Sequence, residues 1–226
     1  MTNKFKNKYR IPTARATFWN YGWNAAYFIT ICTKNRKCWF GHVAHREMVY
    51  SGIGRIAHKC WLEIPDHFPF VKLDAFVIMP NHVHGIIIIN KNVSVGAETQ
   101  NTASEHLQLG GDPQNVASVQ LQLVDNPQNI CNQNPISADD FPNICNKNPL
   151  QIDAMKNQFG PQSQNLASIV RGFKIGVTKY ARAIHPEFMW QARYHDIIIR
   201  DQRSFINIAN YILNNPAKWE KDKFLT

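Results

Sequence analysis

Five cysteines are spread over 226 residues, none in a Cys-x-x-Cys pair, and their odd number argues against both a zinc ribbon and a disulfide framework. No apolar run reaches the 18 residues or more that a membrane span needs. The N-terminal stretch with Lys4, Lys6, Lys8 and Arg10 lacks the apolar segment of a signal peptide, so a cytoplasmic protein without a membrane partner is the expectation. Carboxylates are scarce as well. Lys and Arg number 25 against 16 Asp and Glu, a net charge of +9.

That charge is unevenly distributed. Residues 95–165 hold Glu98, Glu105, Asp112, Asp125, Asp139, Asp140 and Asp153 against Lys147 and Lys156 alone, a net of −5 that leaves +14 on the rest of the chain. A surplus of that size is the footprint of a protein that meets a polyanion, most simply nucleic acid.

The same segment differs in composition. It is crowded with Asn and Gln and repeats itself: Leu107-Gln108-Leu109 followed by Asp112-Pro113-Gln114-Asn115 recurs as Leu121-Gln122-Leu123 followed by Asn126-Pro127-Gln128-Asn129. Short polar repeats with frequent proline bury too little apolar surface to offset the entropy of ordering. Residues 95–165 are therefore expected to be a disordered loop insertion, with 1–94 and 166–226 forming one domain.

Without the insertion a compact pattern emerges. Tyr27 to Thr33 alternates as a strand. Ile53, Ile56, Ala57, Cys60, Trp61 and Ile64 follow helical spacing up to Pro65, and Val71 to Met79 and His82 to Asn90 read as two strands joined at Pro80-Asn81. Leu166, Ile169, Val170, Phe173, Val177, Tyr180 and Ile184 mark a second helix, whose other face carries Arg171, Lys174, Thr178 and Arg182. Tyr194 to Arg200 is a fourth strand, and a last helix starts near Ser204 as N-cap. The order β-α-β-β-α-β, then α, predicts an α+β fold: a ferredoxin-like split βαβ, with a four-stranded antiparallel sheet, helices on one face, and an additional C-terminal helix.

Met79-Pro80-Asn81-His82-Val83-His84-Gly85 carries the chemistry. Alternation along a strand sends His82 and His84 to the same face, roughly 7 Å apart, with Val83 on the other. Two imidazoles so placed form a bidentate site for a divalent ion, although two polar residues on a half-exposed face give the same spacing. The spacing leaves open which sheet face they occupy. A third ligand must come from elsewhere. Among seven tyrosines, Tyr211 stands four residues before Asn215 on the last helix, so a phenol and an amide oxygen can enter one site, although Pro216 biases Asn215 away from helical geometry.

The run Pro80-Asn81-His82-Val83-His84-Gly85 resembles the His-hydrophobic-His signature of HUH endonucleases. Trp190-Gln191-Ala192-Arg193-Tyr194-His195-Asp196, then Tyr211-Ile212-Leu213-Asn214-Asn215-Pro216, resembles the single-tyrosine transposases, in particular the REP-associated tyrosine transposases and their insertion-sequence cousins. The resemblance spans residues 20–92 and 166–224, and the Asn/Gln-rich insertion departs from it. It implies a DNA strand transferase in which Tyr211 is the nucleophile and His82, His84 and Asn215 hold Mg²⁺ or Mn²⁺. The substrate would be hairpin-bearing single-stranded DNA and the intermediate a 5′-phosphotyrosine. Some branches of the family act as homodimers and others as single subunits.

Arg171, Lys174, Arg182 and Arg193, with Arg36 and Lys37, are candidate phosphate contacts, and Trp190 is a candidate base-stacking platform. Three other readings share part of this pattern: a replication or mobilisation nickase of the HUH class, a catalytically idle nucleic-acid-binding protein derived from a transposase, and a zinc hydrolase using His82, His84 and His195.

Overall fold

The computed structural model describes residues 4–5, 8–9, 16, 19–91 and 163–225. The Asn/Gln-rich segment lies outside the described residues except for its last three positions. In chain order the elements are strands β1 (Lys4–Phe5) and β2 (Lys8–Tyr9), β3 (Ala25–Cys32), β4 (Gly41–Ala44), β5 (Glu47–Tyr50), helices α1 (Gly52–Leu62) and α2 (Ile64–His67), β6 (Val71–Met79), β7 (His82–Ile89), α3 (Leu166–Ile184), β8 (His195–Ile199) and α4 (Gln202–Leu213). A 3₁₀ helix, Pro216–Lys221, follows α4.

The main sheet has the order β6-β7-β3-β8 with every neighbouring pair antiparallel. With α1 between β3 and β6 and α3 between β7 and β8, this is the split βαβ arrangement. The long hydrophobic strands β3 and β7 are central, and all eight residues of each are buried. A strand covered on both faces has no need of polar alternation, which is why Ile86 to Ile89 runs unbroken.

One sheet face packs on α1 and α3: Tyr27, Ile29, Val83, Ile87 and Ile89 meet Trp61, Ile169, Phe173 and Val177 in one core. Trp61 lies so close to β7 that a Cβ on Gly85 would collide with its ring, which gives that glycine a packing reason. The other face packs on α4, where Phe28, Met79, Ile86 and Ile88 meet Phe205 and Ile212. The helices of the split βαβ unit thus share one face, and α4 covers the other together with Met48 of the β4-β5 hairpin and Trp219 of the 3₁₀ helix.

Several boundaries differ from the sequence expectation. The N-cap of α4 is Asp201, whose carboxylate accepts from the Ser204 amide at 2.8 Å, because the helix starts two residues before Ser204. A β4-β5 hairpin, which places Tyr50 in a strand, fills the connection ahead of α1. Its apolar residues are too few for a visible alternating run.

Candidate active site

Strand register decides what surrounds the histidines. His84 lies opposite Thr30, and His82 opposite Cys32, on the face that α4 covers. The Thr30 hydroxyl and His84 Nδ1 are 2.8 Å apart. From α4, Tyr211 brings its phenol oxygen to 3.3 Å from His84 Nε2, and the two rings meet edge to face. His82 and His84 have ring centroids 4.5 Å apart.

Asn81 fixes the tautomer of His82. Its Nδ2 donates to the carbonyls of Arg36 at 3.1 Å and Phe224 at 2.7 Å, so both amide hydrogens are used and Oδ1 must accept from His82 Nδ1, 2.8 Å away. The lone pair of His82 is thereby left on Nε2, a buried atom with no hydrogen-bond partner among the described residues. Asn215 Oδ1 is a second buried acceptor without one. Buried polar atoms are normally satisfied, so two orphaned acceptors from separate elements, beside a third lone pair at His84 Nε2, suit a cation. By the nature of their donor atoms His82, His84 and Asn215 fit a divalent ion.

Burial keeps both imidazoles neutral. It pushes His82 down to about 2, helped by His84, and His84 down to about 3, helped by Lys223. A neutral ring is the form that ligates a metal. Tyr211 is shifted the other way, raised by burial and then by the charge of Asp222, so its proton is retained in the resting protein.

Asn215 reaches the site despite Pro216. Its backbone stays in the right-handed helical region (φ −62°, ψ −43°) and its amide donates to the Ile212 carbonyl at 3.1 Å, because the chain passes directly from α4 into the 3₁₀ helix. Tyr211 and Asn215 thus keep the shared face their spacing predicts. Tyr211 remains 38 % exposed, whereas His82, His84 and Asn215 are buried.

Tyr211, His84 and Asn215 line a cavity of about 910 Å³ that also receives Phe28, Arg36, Arg193, Lys218, Lys221 and Lys223, while His82 is buried behind His84 and does not line it. Among the described residues Asp222 is the one carboxylate lining the cavity. Phe224 packs its ring 4.5 Å from that of His82, beneath the Arg36 guanidinium at 4.1 Å.

Other candidate residues are placed differently. Lys174 turns inward: its Nζ donates to the carbonyls of Gln191 at 3.0 Å and Arg193 at 2.8 Å, and burial pushes it down to about 8. Trp190 packs among Phe40, Phe173 and Phe188, and its Nε1 donates to the Lys174 carbonyl and the Thr178 hydroxyl. Both hold the segment leading into β8. Lys37 lies 3.9 Å from Glu187 and over the Trp39 ring. Arg171, Arg182 and Arg193 line a second groove of about 650 Å³ along α3, on the far side of the sheet from the histidines. Arg193 and Tyr194 border both cavities. His195 lines the first cavity, and among the described residues no three His, Cys, Asp or Glu side chains gather as a metal cluster.

Sequence reasoning missed Thr30, Asn81 as a tautomer-setting residue, and the C-terminal residues Lys218, Lys221, Lys223 and Phe224. Asn81 adjoins the histidine pair and could have been singled out. Thr30 is visible only through register.

The fold is similar to that of a REP-associated tyrosine transposase bound to a REP hairpin, with a TM-score of 0.50 at 14 % identity, over 94 % of this chain and 77 % of that one. At that identity the likeness speaks for the fold. No family profile matches the chain. By sequence, the chain belongs to the same family as an uncharacterized protein of Haemophilus influenzae, 35 % identical over 212 residues, which cover 92 % of this chain and 89 % of that protein.

Proposed function

We propose that the protein is a metal-dependent single-stranded DNA endonuclease and strand transferase of the transposase type, with Tyr211 as nucleophile. One observation carries this reading: a phenol of α4, an imidazole of β7 and the Asn215 side chain from the turn after α4 line a single cation-rich cavity, with the second imidazole packed 4.5 Å behind the first. The fold likeness to a transposase is consistent with it, and hairpin-bearing single strands are the substrate class it suggests.

His82 Nε2, His84 Nε2 and Asn215 Oδ1 would hold Mg²⁺ or Mn²⁺, which supplies Lewis-acid stabilisation of the charge that develops on the phosphate oxygens. The protein's own groups do the rest. Asn81 holds His82 in the ligating tautomer, and Thr30 orients His84. The rigid turn from α4 into the 3₁₀ helix keeps Tyr211 and Asn215 in fixed relation, which spends orientation entropy before the substrate arrives.

In the reaction, the Tyr211 oxygen attacks phosphorus and gives its proton to water in the open cavity. The bond from phosphorus to the 3′ oxygen breaks, and that oxygen takes up a proton from solvent as a free 3′-hydroxyl. The 5′ phosphate remains on Tyr211 as a phosphodiester. Because one phosphodiester has replaced another, a second 3′-hydroxyl can reverse the step and join strands without ATP. The cations of the cavity, and Arg171 and Arg182 in the groove along α3, are suited to the flanking phosphates.

The test is incubation with a fluorescent library of hairpin-bearing single strands and Mn²⁺, followed by a denaturing gel. A protein band shifted by covalently bound DNA, lost in Tyr211→Phe and on chelation, is the expected result. Retained DNA binding without any adduct would overturn it in favour of an idle nucleic-acid-binding protein.

A further inference from the structure

We infer that Arg36 is the charge clamp for the scissile phosphate, a catalytic residue set apart from the other cations of the cavity. This deepens the function proposed above and rests on it. Lys218, Lys221, Lys223 and Arg193 are exposed, so their charges are solvated and suited to loose contact with a passing backbone. Arg36 is half-buried, and its Nη1 is sealed from solvent with no acceptor among the described residues. A desolvated guanidinium nitrogen without an acceptor is costly and ready for an incoming anion.

Its neighbours offer little in exchange. The guanidinium reaches the Cys32 thiol, a weak acceptor, and stacks on the Phe224 ring, and among the described residues no carboxylate pairs with it. Phe224 in turn packs against His82, so guanidinium and imidazole rest on the same phenyl group. A phosphodiester entering in its place would meet Arg36 on one side and the histidine pair on the other. The planar fork of an Arg matches two non-bridging phosphate oxygens in a way that a Lys cannot.

The backbone is built to present this side chain. Asn35 (φ 54°) and Arg36 (φ 56°) are consecutive non-glycine residues in the left-handed region, a conformation that persists only where its surroundings hold it. Here the hold comes from Asn81, whose Nδ2 donates to the Arg36 carbonyl while its Oδ1 accepts from His82. One buried amide therefore ties the guanidinium-bearing turn to the histidine that faces it.

The test compares wild type, Arg36→Ala, Arg36→Lys and Tyr211→Phe as full chains, reading the rate of covalent adduct formation with the hairpin library and Mn²⁺. Thermal melts verify that each variant folds, and Arg36→Lys stands in should Arg36→Ala fail to. Loss of one preorganised donor to developing charge predicts a fall of about 100-fold for Arg36→Ala. Arg36→Lys should recover only part of the rate. Free guanidinium ion should partly rescue Arg36→Ala, leave wild type unchanged and fail to rescue Tyr211→Phe, a pattern that a merely structural arginine would not produce. Arg36→Ala, or Arg36→Lys where that variant stands in, reacting at the wild-type rate would overturn this assignment while the transferase reading stands. A fall in rate in Arg36→Ala that guanidinium does not restore would also overturn it. Absence of any Tyr211-dependent adduct in wild type would overturn both.

Discussion

Strand β7 presents Val83, Ile87 and Ile89 to one side and His82 and His84 to the other, and the two sides are closed by different means. On the first, α1 and α3 lay Trp61, Phe173 and Ile169 against the sheet in a mainly apolar contact. On the second, α4 closes the Ile86 and Ile88 end with Phe205 and Ile212, while the histidine end meets Thr30, a phenol and the ring of Phe224, and Asn215 lines the same cavity as His84. The first side gains stability from burial. The first side does so with the Trp61 indole N–H left unpaired among the described residues, and the second surrenders more, since His82 Nε2 and Asn215 Oδ1 are two buried acceptors with no partner among them. A single strand thus divides core packing and the proposed site between alternate residues.

Four measurements sharpen or break this contrast, and the largest effect belongs to the hydrocarbon side. Trp61→Ala should lower the unfolding free energy by about 3–5 kcal/mol, as removal of a buried indole does elsewhere. Denaturant titration reads it, and a cost near zero would mean that α1 is not the keystone of this layer.

Acid should act next, through the site side. In the metal-free chain the folded values of His82 and His84 lie below the ordinary 6.5, so the unfolded chain binds more protons and stability is lost as pH falls below about 6.5. Between pH 7 and pH 5 the loss should be roughly 2 kcal/mol for each histidine. The double variant His82→Gln, His84→Gln should flatten the curve by that amount. An unchanged curve would show that the imidazoles are not desolvated.

Mn²⁺ should stabilise the wild type by about 2–3 kcal/mol at a free concentration about one hundred times its dissociation constant. In His82→Ala the increment should vanish. The same increment in both proteins would put the ion elsewhere. The smallest effect is expected far from either side: Lys59→Gln breaks an exposed ion pair with Glu63 at 3.7 Å and should cost less than about 0.5 kcal/mol.

Much of this architecture was legible in the chain. Helical spacing of Ile53, Ile56, Ala57, Cys60 and Trp61 and the strand runs around His82 led directly to the split βαβ order, because those signals are local periodicities. The shared face of Tyr211 and Asn215 was legible for the same reason. Less legible were the inward turns of Lys174 and Trp190. A basic stripe and a lone tryptophan look alike whether they face solvent or seal a joint, and the carbonyls of Gln191 and Arg193 that take up Lys174 lie across a turn of the fold. Phe224 was invisible as a partner of His82, since more than a hundred residues separate two rings that now touch.

By itself the sequence determined everything that follows from covalent geometry within a few residues: the common side of His82 and His84, the one-turn spacing of Tyr211 and Asn215, and the order of strands and helices. Which sheet face the histidines occupy, which lone pairs remain unused, and which cation is left desolvated were decided by tertiary structure. These depend on where α4 docks and on the register of β3 against β7, and such choices are set by total burial and hydrogen-bond satisfaction across the whole sheet, which no local window of residues contains.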